Sequence, residues 1–298
     1  MKLIALVLVA ACSSSAPRPA TVAPVTTTAT TASRPFAVTV TGHGPPVILI
    51  PGLASSGDVW KSTVAHLANS YTCHVLTLAG FAGQPRVPAP MLATIRDGIA
   101  AYIADEHLDH PVIVGHSLGG FLALDLAVHA PADVGRLVIV DSLPFLAAAF
   151  VPDATEASAK QFATAMRAQM ALAKPDVYRQ RLRDSLATMI TAPANQQLAL
   201  GWGLASDPTA VGDAMAELME HDLRDAIGAV RVPALVIETW QGRPGADRAQ
   251  VEGVYRAQYA KLAGVELAMA ETARHFVMLD DPAFLFARMD AFLQRTEK

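Results

Sequence analysis

The chain has 298 residues, a net charge of −4, and 52% hydrophobic against 17% charged residues. That suits one large α/β domain, or one with an inserted subdomain, with ample apolar surface for a core. Basic residues are scattered, which excludes a nucleic-acid footprint, and two cysteines, Cys12 and Cys73, exclude a disulfide framework.

Met1-Lys2 is a short positive start, and Leu3 to Ala11 is an apolar run too short to span a bilayer. The run ends at Val9-Ala10-Ala11-Cys12, which resembles the lipobox of bacterial lipoproteins. The resemblance implies a signal peptide over 1–11 and lipidation at Cys12, which becomes the new N-terminus. Ser13, where an Asp would retain the protein, leans towards an outer-membrane anchor facing the periplasm. An ordinary signal peptide cleaved near Ala11, with Cys12 incidental, is the alternative. Residues 12–33 are then the lipidated cysteine and a tether of Ser, Thr, Ala and Pro. It has a single charge, Arg18, and is too polar to offset chain entropy by burial.

Phe36 to Thr41 alternates and predicts an early antiparallel strand. Val47 to Ile50 predicts a buried strand, followed by a Pro51-Gly52-Leu53 loop and a helix with Asp58 as N-cap. Cys73 to Leu78 is another strand, which makes Cys73 a small buried hydrophobe, and Met91 to Glu106 is helical by period. Val112 to Val114 is a β-branched run. Gly115-His116-Ser117-Leu118-Gly119 follows it, and a helix runs from Phe121 to His129. Gly-x-Ser-x-Gly between a strand and a helix puts the serine hydroxyl on a strained turn clear of the sheet, which makes Ser117 a candidate nucleophile. Leu137 to Val140 is a strand ending at Asp141. Short apolar strands alternating with helices call for a mostly parallel sheet covered on both faces, with ligands at the strands' carboxyl ends.

Residues 143–223 break that rhythm, with no convincing strand. Phe162, Met166 and Met170 form one helical stripe, Tyr178, Leu182, Leu186 and Ile190 a second, and Val211, Met215, Leu218 and Met219 a third. The stripes predict a helical cap whose large residues are core, with methionines suited to a yielding substrate roof. The sheet resumes at Val232 to Ile237. A loop from Thr239 to Ala246, a helix to about Leu262, a strand over Val265 to Met269 and a final helix from Asp281-Pro282 follow. The core is therefore 34–142 plus 224–298.

With Ile50-Pro51-Gly52-Leu53, Gly115-His116-Ser117-Leu118-Gly119-Gly120 and Arg274-His275-Phe276-Val277 in place, the chain resembles the α/β-hydrolase superfamily. It is similar to the lidded serine hydrolases that include carboxylesterases and lactonases. The resemblance implies a triad in the order serine, acid, histidine. A serine hydroxyl needs a base, and His275, after the last strand, is the best placed of nine histidines. His116 is expected to turn its ring away from the base site. The acid stays open. Family members place an Asp after the strand that here ends near Ile237, where this chain reads Glu238-Thr239-Trp240-Gln241. Asp141 and Asp247 are the two candidates, of which only one serves, with Glu238 a third; a capping role for Asp247 is the competing reading. The family's oxyanion donors correspond to the backbone N–H groups of Leu53 and Leu118.

No cofactor is expected, because no His or Cys cluster has metal-ligand spacing and no Gly-rich loop fits a nucleotide. The expected function is cleavage of small apolar carboxylic esters through an acyl-enzyme. Lactonase or amidase chemistry on the same fold is the alternative, and a non-catalytic envelope binding protein is the alternative of another class.

Overall fold

The structure is a computed structural model and describes residues 34–242, 245 and 247–295. The signal peptide, Cys12 and the tether lie outside the described residues. Among the described residues no helix is long and apolar enough to cross a membrane.

The strands are β1 (Phe36–Gly42), β2 (Pro46–Ile50), β3 (Thr72–Leu78), β4 (Val112–His116), β5 (Arg136–Val140), β6 (Ala234–Thr239) and β7 (Glu266–Ala270). They form one sheet in the order β1-β3-β2-β4-β5-β6-β7. Only the β1–β3 pairing is antiparallel. The helices are α1 (Lys61–Leu67), α2 (Met91–Asp105), α3 (Leu118–His129), α4 (Glu156–Ala171), α5 (Pro175–Met189), α6 (Pro193–Ala205) and α7 (Pro208–Glu220). After them come α8 (Arg248–Gln258), α9 (Val277–Asp280) and α10 (Pro282–Leu293).

The central strands are apolar on both faces because both are covered. Ile48, Ile50, Ile113, Ile139 and Val236 pack into one core, and Val47, Leu49, Val114, Val138 and Ile237 into the other. Each such side chain gains about 1.5–3 kcal/mol by burial. The strand ends that carry the site therefore stand on strands packed into a core on each face.

Several boundaries differ from the sequence expectation, among them three at helix ends. The segment after Ser56 opens with a 3₁₀ turn, Gly57–Trp60, and Ser56 rather than Asp58 caps it, accepting from Asp58 N at 3.1 Å. Helix α3 begins at Leu118, not Phe121, because the Ser117 carbonyl already accepts from Gly120 and Phe121. Helix α8 stops at Gln258, short of Leu262.

Between residues 143 and 223 the described chain is helical, with four helices where the stripes predict three; α6 shows no stripe of large residues. The α4 stripe also fails in part. Phe162 is 57% exposed, and the buried positions are Ala159 and Ala163, which pack with Ala216 and Met219 of α7. The contact uses small residues, so a pattern built on large ones misplaces the face. The remaining helices join both cores: Ala210, Val211, Ala214 and Leu218 one, Leu186, Ile190, Leu200 and Trp202 the other. Glu217, buried on α7, accepts from the Met91 and Leu92 N–H groups at 2.8 Å each. A carboxylate on the orphan donors of the α2 N-terminus both satisfies them and complements the helix dipole, and it pins α7 to the core.

Candidate active site

The backbone turns sharply at Ser117. Ser117 has φ +52° and ψ −119°, a conformation L-residues avoid, at a cost on the order of 1–3 kcal/mol. Its N–H donates to Val140 O at 2.9 Å, tying the turn to the neighbouring strand. A Cβ at Gly115 would lie 2.1 Å from Gly119 O, and one at Gly119 2.3 Å from Ile50 O. Only glycine permits this approach of helix to strand.

His275 sits between β7 and α9. Its Nδ1 lies 2.5 Å from Oδ2 of Asp141, whose side chain is 1% exposed. Asp141 follows β5 with φ +45°, and its N–H donates to Ile237 O at 2.7 Å. Its Oδ1 accepts from Thr239 N at 3.3 Å and from the Tyr255 hydroxyl. Asp247 is not brought to His275. It is exposed and caps α8, accepting from Gln250 N at 2.8 Å, while Gln250 Oε1 accepts from Asp247 N at 3.2 Å. Of the two candidate aspartates, the structure pairs Asp141 with His275 and places Asp247 as a helix cap. Glu238 is buried under α8 with its carboxyl pushed up to about 7, first by burial and then by the charge of Glu252. Among the described residues its Oε2 has no hydrogen-bond partner.

The expectation for His116 is overturned. Its ring is fully buried and lies 4.5 Å from the His275 ring, centroid to centroid. The carbonyl of His275 can only accept, so the 3.0 Å contact fixes the proton on Nε2 of His116. Burial first, and the charge of His275 second, hold His116 well below its ordinary value, so it stays neutral. The His275 loop is braced from the cap as well. Arg274 donates to the Ile190 carbonyl at 3.3 Å, and Phe276 N to Met189 O at 3.3 Å.

Ser117, Asp141, Leu53 and His275 all border one cavity of about 610 Å³, within the range of small-molecule sites. Leu146, Met189, Met215 and Leu218 line it from the cap, so methionines do stand in the roof. The loop after β2 lies against the turn: a Cβ at Gly52 would be 3.2 Å from Ser117 Cβ. Leu118 is buried at the first position of α3, where the N–H groups have no intrahelical partner. Among the described residues no group of three or more His, Cys, Asp or Glu could hold a metal ion.

Residues 47–288 match the alpha/beta hydrolase family. The chain belongs to that family. It is 28% identical over 207 residues to a pimeloyl-[acyl-carrier protein] methyl ester esterase of Nitrosomonas europaea, covering 67% of this chain and 78% of that protein. It is 35% identical over 107 residues to the protein so named in Vibrio campbellii, covering 36% of this chain and 41% of that one. The chain thus spans under half the length of that relative. In fold it is similar to the enol-lactonase from Burkholderia xenovorans, with TM-score 0.73, 15% identity and coverage of 87% of this chain and 96% of that one. It is equally similar to an esterase from Exiguobacterium antarcticum, with TM-score 0.72, 18% identity and the same coverage.

As an α/β hydrolase, the chain carries two contacts that sequence reasoning missed, His116 on the His275 carbonyl and Tyr255 on Asp141. Neither has a local signal, since each pair is more than a hundred residues apart. The cap role of Asp247 did have one: Asp-x-x-Gln is a capping-box pattern.

Proposed function

We propose that this chain is a serine hydrolase that cleaves carboxylic esters through an acyl-enzyme, with Ser117 as nucleophile, His275 as base and Asp141 as orienting acid. The observation that carries the reading is one apolar cavity bordered both by a strained serine and by a histidine paired to a buried carboxylate. Asp141 holds the imidazole in the tautomer with its proton on Nδ1, which leaves Nε2 to take the serine proton. The hydroxyl oxygen attacks the ester carbonyl while His275 takes its proton. Charge then builds on the carbonyl oxygen, where the N–H groups of Leu53 and Leu118 and the end of α3 stabilise it. The alcohol leaves with the proton. Water, deprotonated by His275, attacks the acyl-enzyme and frees the acid and the serine.

The apolar walls favour small or medium acyl groups, and the esterase names of the relatives point the same way. Lactones contain the same carbonyl and belong in the same substrate panel. The test is turnover of p-nitrophenyl esters of rising acyl length and of lactones, by protein lacking residues 1–33 and by its Ser117→Ala variant. Saturable ester cleavage that Ser117→Ala loses by a factor on the order of 10⁶ is the expected result. Equal rates would end the reading. The lipobox resemblance adds a placement: lipidation at Cys12 anchors the enzyme in the cell envelope. Labelled palmitate should enter the full chain and not its Cys12→Ala variant.

A further inference from the structure

Helix α8 does more than wall the cavity. Its Tyr255 is buried, borders the cavity and donates its hydroxyl proton to Oδ1 of Asp141. Thr239 N–H reaches the same oxygen at 3.3 Å, and the other oxygen, Oδ2, faces His275. Among these described partners the carboxylate is divided, Oδ1 to the scaffold and Oδ2 to the imidazole. An aspartate's terminal torsion is broad and roughly two-fold, so something must fix the plane of the carboxylate if Oδ2 is to stay aimed at Nδ1. A buried carboxylate also needs donors for its remaining lone pairs.

We propose that Tyr255 is a positioning residue for the candidate triad: its hydroxyl holds Oδ1 of Asp141, keeps Oδ2 aimed at His275 and draws off part of the carboxylate charge. The inference rests on the serine-hydrolase reading above. One turn on, just past the end of α8, Tyr259 supplies an internal control. Its ring lies nearly parallel to that of Tyr255, at 9° and 6.3 Å, and it is as deeply buried. Its hydroxyl donates instead to the Ser142 carbonyl at 2.8 Å. Both tyrosines fasten α8 to the chain after β5, but only Tyr255 has a hydrogen bond to the carboxylate in view.

Among the described residues, the titratable groups around the pair include His116 from the end of β4, Glu238 from β6, Tyr255 from α8 and Tyr259 just past its end. Behind Glu238 stand Glu252, Arg248 and Arg256. Losing the Tyr255 hydroxyl concentrates the carboxylate charge towards Nδ1–H and favours the imidazolium. The base then becomes free only at higher pH.

The experiment is kcat/KM against pH for p-nitrophenyl butyrate with wild type, Tyr255→Phe and Tyr259→Phe. Each is measured also with Glu238→Gln, to remove the neighbouring carboxyl's titration. Both phenylalanine variants keep the ring and lose one buried hydrogen bond, so both melting temperatures should fall, that of Tyr255→Phe at least as far because its partner is charged. In Tyr255→Phe the acid limb should move up by about one pH unit, the size of one charge-assisted hydrogen bond. In Tyr259→Phe it should stay in place. Should Tyr255→Phe fail to fold, 3-fluorotyrosine incorporated throughout provides the second measurement. Its more acidic hydroxyl draws off more charge and should move the limb down. An unmoved limb in Tyr255→Phe, or in the fluorotyrosine protein, overturns the role of Tyr255 and leaves the hydrolase reading intact. An equal shift in Tyr259→Phe also overturns it, because loosening of α8 would then be the cause. A wild type that neither turns over nor reacts with a fluorophosphonate overturns both.

Discussion

Asp141 follows β5 and Asp247 opens α8, and the two carboxyl groups meet opposite surroundings. The Asp141 side chain is 1% exposed and its oxygens are taken by His275 on one side and by Tyr255 and Thr239 on the other. Asp247 stands in solvent and spends an oxygen on the backbone of its own helix. The residue type is the same, and each stands at the end of an element. What separates the two is which groups occupy their lone pairs. A carboxylate held by a buried donor on one side and an imidazole on the other can orient a base; a solvated cap stabilises a helix.

The largest effect that could break this comparison is on turnover. Asp141→Asn should lose about 10⁴ in kcat with the fold intact, as expected when an amide forces the wrong histidine tautomer. Asp247→Asn should keep wild-type kcat. The reverse pattern, measured on any cleaved ester, would reassign the acid. His116→Ala tests the contact beneath the comparison. Without the donor to its carbonyl, the His275 loop shifts, and a displacement of about 1 Å can cost on the order of 10²-fold. A kcat within error of wild type would show that the contact does not position the base.

Glu238 is a third carboxyl, and it sharpens the contrast through stability. Its folded value, about 7, lies above its ordinary 4.5. Below 4.5 both folded and unfolded chains carry the proton, and there is no penalty. The penalty grows as pH rises from 4.5 to 7 and is complete above 7. Glu238→Gln should therefore stabilise the protein by about 2 kcal/mol at pH 8 and by almost nothing at pH 4. Melting curves across that range give the answer, and a gain that is flat with pH would contradict the cause. The smallest effect belongs to the cap: Asp247→Ala should cost about 1 kcal/mol of stability with activity unchanged.

Much of this site is legible in the sequence because its parts are local. Val112 to Gly119 encodes a strand, a turn and a helix start in one continuous run, and the glycines that permit the turn lie inside it. The continuous apolar runs of β2, β4 and β5 mark strands covered on both faces. What fails is whatever depends on a distant partner. Asp141 and Asp247 both sit at element ends, and what distinguishes the first comes from far along the chain: a histidine 134 residues away, a tyrosine 114 away and a backbone N–H 98 away. His116 gains its role from a carbonyl 159 residues away. In the cap, α4 meets α7 through alanines, so Phe162 marks the wrong face. Helix α6 buries Ala199, Leu200, Trp202 and Gly203 on one face that is half small residues, and Gly203 accommodates Leu182 of α5 where a Cβ would lie 2.4 Å from it.

The most direct measurement is fluorophosphonate labelling of wild type, Asp141→Asn and Asp247→Asn, followed by peptide mapping and the rate of adduct formation. A single adduct on Ser117, formed at wild-type rate in Asp247→Asn and far more slowly in Asp141→Asn, is the result the geometry predicts. An adduct elsewhere, or equal slowing by both substitutions, would contradict it.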